Sequence, residues 1–382
     1  SPYTGLRHAS QVQEEEAMGN GIKVAVVGLG FGASWVAAYQ DHPAVAGVAI
    51  CDPDAELRGS VAERHGIDAT FESFDDLLAA GGYDAVHLLT PIPLHVEQTL
   101  AALDAGVHCA CAIPMAMSIP ELERVVDAQR VSSAIYMLME TAVYSNSALY
   151  VRELAETGAL GDLQFLRCAH YQNMEGWPAY WEGLPPMYYS THALGPVLAV
   201  AGKAASSVQC LGSGCLPDDL RGEYGNPYPV QTALVRLADS PVVCEVTRCL
   251  FEMTRGFQER FDVYGNRMAF EWPQVDGEEP VVFRVDGEPL PPGRRSRPTD
   301  IERVTPPDFA DRVPEELRGH VRGGAGGNFR PHMVHEFMSA ILEKRPPAID
   351  ASVAANWTAV GICAHESAMD GGVAVAIPPF GA

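Results

Sequence analysis

The stretch Lys23-Val24-Ala25-Val26-Val27-Gly28-Leu29-Gly30-Phe31-Gly32-Ala33 decides the fold. Its first five residues, mostly branched aliphatics, read as a buried strand, and Gly28-x-Gly30-x-x-Ala33 then opens a helical run that ends near Tyr39. In such a strand–turn–helix setting the first glycine permits the tight turn and the second lets a pyrophosphate approach the backbone. Ala33 is expected to let helix and strand pack closely, so that the helix N-terminus faces the phosphates. Asp52 follows 24 residues beyond Gly28, at the end of the next aliphatic run, Val45–Cys51. A carboxylate there accepts from a ribose 2′-hydroxyl and repels a 2′-phosphate, so NAD is expected rather than NADP. The competing reading is a glycine-rich turn that holds no ligand.

Working outward, strands are expected at Lys23–Val27, Val45–Cys51, Ala85–Leu89, His108–Ala110 and Ala134–Met139. Between them lie helical patterns at Ala33–Tyr39, Ala55–His65, Ser73–Ala80, His95–Ala105 and Pro120–Arg130. This alternation predicts a parallel sheet wound by crossover helices, an α/β Rossmann domain over residues 21–142. Residues 1–20, with Glu14-Glu15-Glu16, read as a flexible polar arm. After a helix at Ser145–Thr157 the runs lengthen and alternate: Leu163–Tyr171, Ala205–Leu211, Gln231–Leu237, Val242–Leu250 and Glu259–Tyr264. They predict an α+β domain over residues 143–382 with a large, mostly antiparallel open sheet. Gly287 to Gly327, rich in Pro, Gly and Arg, reads as a long surface excursion, and helices near Pro331–Lys344 and Ser352–Met369 close the chain.

The 382 residues include 49 acidic and 26 basic side chains, a formal net charge of −23. An extended surface for phosphate backbones or anionic lipid is hard to assemble from that balance, so neither nucleic acid nor membrane is an expected partner. Nine cysteines form no CxxC pair and sit mostly in apolar strings, as buried reduced thiols do. The most apolar stretch, Val24–Tyr39, is interrupted by three glycines and is too short to span a bilayer. The opening Ser1-Pro2-Tyr3-Thr4-Gly5-Leu6-Arg7 has no apolar core, and a cytoplasmic enzyme is expected. No metal is expected, because no His, Asp or Cys pair is spaced with a third ligand nearby. Neither a nucleophile elbow nor an opposed carboxylate pair stands out, so hydrolysis, if it occurs, must run through the nicotinamide.

Three segments in register, Gly28–Ala33, Thr90-Pro91-Ile92-Pro93-Leu94-His95 and Cys111-Ala112-Ile113-Pro114-Met115-Ala116, resemble the Gfo/Idh/MocA oxidoreductases, and the likeness extends over nearly the whole chain. It implies a cofactor site of Gly28, Gly30, Phe31, Gly32, Ala33, Asp52, Thr90, His95 and Pro114. In that family the third motif usually reads Glu-Lys-Pro, and the lysine helps proton transfer at a sugar hydroxyl. Ala112 and Ile113 fill those slots here, and isoleucine neither donates, accepts nor carries charge. Met139-Glu140-Thr141-Ala142-Val143-Tyr144, Tyr171-Gln172-Asn173-Met174-Glu175-Gly176 and Tyr189-Ser190-Thr191-His192-Ala193-Leu194-Gly195-Pro196 resemble a subgroup of NAD-dependent glycosidases. That subgroup includes α-N-acetylgalactosaminidases and NAD-dependent sulfoquinovosidases, and it also tolerates an aliphatic residue in the lysine slot. The resemblance implies that Tyr189 and His192 are the acid/base pair, and that the chain forms a homo-oligomer, a dimer or tetramer, through its second sheet.

Read physically, a Tyr at i and a His at i+3 on a helical turn project from one face, so both reach adjacent carbons of one sugar ring. A Tyr–His pair satisfying itself beneath a core is the alternative. Glu140, ending the last Rossmann strand, lies where the fold places its ligand crevice, to bind substrate hydroxyls or to form a salt link. Trp177 and Trp181 either stack on a sugar face or pack a lid. Arg330 is the candidate for gripping an anionic substituent such as a sulfonate, against a solvated surface role. Tyr144, Gln172 and His332 complete the expected substrate set. The function expected is an NAD-dependent glycoside hydrolase acting by transient oxidation at C3, elimination, water addition and re-reduction. A net sugar or cyclitol dehydrogenase, or a non-catalytic NADH or sugar sensor, are the alternatives.

Overall fold

The computed structural model describes residues 21–381 except residue 276 and residues 286–291 and 294–298. The polar arm at 1–20 lies outside the described residues. A six-stranded sheet comprises β1 (Ile22–Val27), β2 (Val45–Cys51), β3 (Thr70–Phe71), β4 (Ala85–Leu88), β5 (His108–Cys111) and β6 (Tyr136–Leu138). Its order is β3-β2-β1-β4-β5-β6 and every pairing is parallel. The strand order reverses between β1 and β4, which opens a crevice at their C-terminal ends. Covered on both faces, β4 is buried throughout and β1 everywhere but Lys23. The helices start where the sequence supplies caps: Asp54 before Ala55–His65, Ser73 before Phe74–Ala80 and Ser118 before Ile119–Val131. The two residues of β3 are too few to leave a periodic signal. The helix expected at Ala33–Tyr39 is broken into an α-turn at Leu29–Gly32, a 3-10 turn at Ala33–Trp35 and an α-helix at Val36–Gln40.

The second sheet has nine strands: β7 (Leu163–Tyr171), β8 (Ala205–Ser213), β9 (Val230–Leu237), β10 (Val243–Cys249), β11 (Gln258–Gly265), β12 (Met268–Glu271), β13 (Val281–Val285), β14 (Thr299–Arg303) and β15 (Val375–Ala376). The order is β14-β13-β12-β11-β7-β10-β9-β8-β15, antiparallel except where β10 pairs β7. One face packs against the helices Thr191–Ala201 and Ala351–Met369. Strand β9 shows the result: Gln231, Ala233, Val235 and Leu237 are buried, while Thr232, Leu234 and Arg236 are exposed.

Gly287 to Gly327 is not one surface excursion. Within it β14 pairs with β13 as an outer strand, and helical turns follow at Ala310–Arg312 and Glu315–Arg318. All five residues of β14 are exposed, so no apolar alternation marks them; residues 287–291 and 294–298 lie outside the described residues. The C-terminal helices serve both sheets: the Ile349 carbonyl accepts from Leu138 N at 3.0 Å, and Ala351–Met369 packs on Ile119–Val131. None of the nine cysteines forms a disulfide, and all but Cys215 are buried. Among the described residues no helix is long and apolar enough to cross a membrane.

Candidate active site

At the end of β1, Gly28 adopts φ +87°, and a Cβ there would stand 2.6 Å from the Leu89 carbonyl oxygen, so only glycine lets β1 turn beneath the loop after β4. A Cβ on Gly30 would meet nothing within 4 Å. Its backbone borders open space at the first helical turn, which is the cradle a pyrophosphate needs. Closest helix–strand packing falls on Gly32, whose Cβ would lie 3.1 Å from Val26 Cγ1, whereas Ala33 is half-buried. Phe31 is exposed at the rim. Asp52 accepts from Leu29 N through Oδ2 at 2.7 Å and from Asp54 N through Oδ1 at 2.9 Å. Each oxygen keeps a lone-pair direction for a ribose hydroxyl. An open glycine cradle beside an anchored carboxylate fits a dinucleotide.

His95 is buried, with Nδ1 2.8 Å from the Pro114 carbonyl and Nε2 2.9 Å from that of Thr90. Two carbonyls satisfy both nitrogens only of an imidazolium. Burial opposes that charge, but Cys111 and the carbonyls outweigh it and raise His95 to about 9. The ring clasps two crevice loops together rather than reaching into the crevice. Thr90 Oγ1 donates to Gln98 Oε1 at 2.6 Å.

Glu140 follows β6 and caps the turn Thr141–Tyr144, its Oε1 accepting from Ala142 N at 3.0 Å. The same oxygen lies 2.6 Å from His192 Nδ1. That approach depends on Gly195, one turn after His192 on the helix Thr191–Ala201: a Cβ at Gly195 would stand 3.0 Å from Glu140 Cγ. With Nδ1–H donated to a carboxylate, Nε2 is the basic nitrogen, and it has no partner among the described residues. Burial opposes a charge on His192, but Glu140 and then Glu259 overcome it and raise its pKa. The Tyr189 ring stands edge-on to His192, centroids 5.0 Å apart. The two do not share one helix. Tyr189 ends the 3-10 turn Pro186–Tyr189, and His192 begins in the next helix; Ser190 between them keeps helical dihedrals, which preserves the i, i+3 offset. Burial raises the Tyr189 phenol more than the Arg248 guanidinium lowers it, so it rests protonated.

Three polar residues that sequence reasoning passed over surround this pair. On adjacent strands Arg248 of β10, His170 of β7 and Glu259 of β11 lie in one lateral row. Arg248 is fully buried, donating from Nε to the Tyr189 carbonyl at 2.9 Å, from Nη1 to those of His170 at 3.1 Å and Cys249, and from Nη2 to Gln172 Oε1 at 2.9 Å. Burial pulls it down to about 10. The His170 ring is 5.3 Å from that of His192, and Glu259 Oε1 lies 3.8 Å from His192 Nδ1 and 4.0 Å from His170 Nε2. A signal was available. His170, Arg248 and Glu259 occupy inward positions of strands whose neighbouring inward residues are Leu166, Cys168, Val246, Phe261 and Val263, and a polar side chain on an apolar face is the informative exception.

The other expected substrate residues divide. Gln172 joins the cluster through Arg248. Trp181 is buried with Leu184, Leu216 and Leu250, its ring 4.9 Å from Tyr189, so it supports that ring from below; Trp177 is exposed beside it. Tyr144 lies in the main core on the side facing Glu336, Arg152 and Arg345. His332 holds the Asp308 carbonyl at 3.2 Å. Arg330 stands over the first Rossmann helix, its guanidinium 5.7 Å from the Phe31 ring, 4.8 Å from Phe329 and within 3.2 Å of Ser34 Oγ. A cavity of about 490 Å³ adjoins the cluster through Thr141 and Glu259 and reaches Phe329; Glu259, Glu278 and Glu279 line it, with no basic side chain among the described residues. No cluster of His, Cys, Asp and Glu that would hold a metal ion occurs among the described residues.

Residues 22–140 match the model of the oxidoreductase family described as an NAD-binding Rossmann fold. A protein of Phocaeicola vulgatus named glycosyl hydrolase family 109 protein 1 is 27% identical over 194 residues, 46% of this chain and 41% of that one. A 4-carboxy-2-hydroxymuconate-6-semialdehyde dehydrogenase of Sphingobium is 28% identical over 197 residues, 49% of this chain and 62% of that one. The chain thus spans about two fifths of the first relative's length. Among solved structures, levoglucosan dehydrogenase in complex with NADH and L-sorbose superposes with a TM-score of 0.77 at 19% identity, covering 94% of this chain and 100% of that one, a likeness of fold.

Proposed function

Residues 22–140 belonging to the NAD-binding oxidoreductase family, we propose that this chain is an NAD-dependent glycoside hydrolase that cleaves by transient oxidation at C3, elimination, water addition and re-reduction. The observation that carries this reading is the His192–Glu140 pair, at 2.6 Å, with Tyr189 against it at the mouth of the dinucleotide crevice. Gly28, Gly30 and Asp52 would hold the dinucleotide, which when bound supplies reversible hydride acceptance. His192 Nε2 takes the proton of the C3 hydroxyl and later returns it, while Glu140 holds the ring in the tautomer that leaves Nε2 basic. Once C3 is a ketone the C2 hydrogen is acidic. Tyr189, whose phenol first yields its proton to solvent while Arg248, 5.4 Å from its ring, eases the negative charge, takes the C2 proton as the phenolate and holds it for the return step. Ile113, buried in the slot where a lysine is usual, takes no part in proton transfer.

Two details refine the substrate. The anionic-sugar reading, such as a sulfoquinovoside, rested on Arg330, but that guanidinium stands on the dinucleotide side, against Phe31 and Ser34, where it would meet a phosphate. The three carboxylates along the cavity favour an uncharged sugar. Exposed Trp177, and Phe257, which is exposed and lines the cavity, are side chains available for stacking on it. A row of apolar residues on the outer face of the second sheet, Phe165, Tyr264, Phe283 and Ile301, supports self-association as a dimer or tetramer, which light scattering checks.

The test is to incubate the protein with nitrophenyl glycosides, including an N-acetylgalactosaminide and a sulfoquinovoside, in deuterated water with and without added NAD. Nitrophenol release without net NADH, with deuterium at C2 of the product, supports the hydrolase. Stoichiometric NADH with an intact glycosidic bond supports instead a dehydrogenase, which the similarity to the Sphingobium enzyme also admits.

A further inference from the structure

Neither ring nitrogen of His170 has a partner among the described residues, although the side chain is buried, and Glu140 Oε2 is likewise buried and unpartnered. Buried polar atoms nearly always find a hydrogen-bond partner, so three orphans in one cluster mark a place where a ligand oxygen completes the bonding. Glu259 Oε1, at 3.8 Å from His192 Nδ1 and 4.0 Å from His170 Nε2, is too far for direct bonds to either. Those are spans a bridging oxygen closes. Unlike His170, Arg248 and Glu140, Glu259 also lines the cavity beside the cluster and is 26% exposed. Burial, with Glu140 adding to it, raises the Glu259 carboxyl against the pull of His192 and Arg248, which brings it nearer the range of a working base.

We propose that Glu259 is the general base for the water that enters the sugar at C1, and that His170, 4.0 Å from its carboxylate, helps to hold that water between them. This rests on the glycosidase reading. After the aglycone departs, the sugar is a 3-ketone with a C1=C2 double bond. The water oxygen bonds to C1 while one of its protons passes to Glu259. The C1=C2 electron pair shifts towards the C3 carbonyl, and C2 then takes its proton from Tyr189. Glu259 releases its proton to solvent through the cavity, where it neutralises the departed aryloxide.

The experiment uses Glu259→Gln on a nitrophenyl glycoside that the wild-type protein cleaves. The variant is expected to release nitrophenol in a burst equal to the enzyme concentration, with the ultraviolet absorbance of the unsaturated ketone rising alongside, and then to turn over about 10²-fold more slowly than wild type. Azide, which needs no base, restores turnover and yields the glycosyl azide; Glu259→Asp restores part of the hydrolysis. His170→Gln shows the same burst with a smaller slowing. NAD affinity equal to wild type shows that each variant is folded. Loss of the burst together with turnover, or turnover unchanged in Glu259→Gln, overturns the role of Glu259 while leaving the glycosidase reading standing. If the wild-type protein makes stoichiometric NADH and cleaves no bond, both fall together.

Discussion

The two walls of the crevice are assembled differently. On the Rossmann side, the groups suited to a dinucleotide come from one continuous turn, Gly28 to Ala33, and one carboxylate, Asp52, anchored by backbone N–H groups of Leu29 and Asp54. The facing side supplies His170, His192, Arg248 and Glu259, which meet Glu140 at the end of β6, so the polar cluster draws on five separate segments, placed by strand register or helix packing. The first wall is a local conformation. The second is a tertiary coincidence that many distant contacts must hold, so substitutions on the two walls should fail in different ways: binding on one, proton transfer on the other.

The largest expected separation comes from His192→Ala, with kcat falling about 10²–10⁴-fold and the Kd for NAD unchanged in a fluorescence titration. A parallel loss of NAD affinity would break the division between the walls. Glu140→Gln should cost roughly 10²-fold in kcat/KM and also move the pH profile. Glu140 raises His192, and the base must be neutral to act, so activity rises with pH through that raised pKa. Without the carboxylate the acidic limb shifts to lower pH, and an unmoved limb would count against His192 as the base. On the other wall, Asp52→Ala or Arg330→Ala should weaken NAD about 10-fold, the scale of one charge-assisted hydrogen bond, at nearly constant kcat.

The smallest effect concerns stability. His42 and His87 are buried and neutral, burial pulling His42 to about 4, with His335 adding to it, and His87 to about 3. In the unfolded chain both protonate near the ordinary histidine value of about 6.5. Their contribution to stability is therefore present above about 6.5 and lost as pH falls towards their folded values, about 2 kcal/mol each by pH 5. His42→Asn should flatten the loss of denaturation midpoint between pH 6.5 and 5, and an equally steep loss would show that other groups set it.

This division also explains what the sequence discloses. The strands Val45–Cys51 and Leu163–Tyr171 and the helix Ala55–His65 have the bounds expected, because aliphatic runs and caps act over a few residues. β3 and β14 escaped, one too short and the other too exposed to carry a pattern. Tyr189 and His192 are three residues apart, and their proximity follows from that spacing. Arg248 and Glu259 lie 78 and 89 residues from His170 in the chain, and only the register of β7 with its two neighbours makes them a row. Tyr144 and His332 show the converse: polar residues in a recognisable stretch whose side chains pack away from the cluster.

The bond from Leu138 to the Ile349 carbonyl has a meaning for how the molecule avoids sticking to itself. β6 ends the parallel sheet, and its outer side would otherwise offer unpaired backbone groups to any passing extended chain. The residues between the two final helices cover that side, more than two hundred positions later in the chain. A fragment cut back to the dinucleotide-binding domain would bare this seam to pairing with other chains.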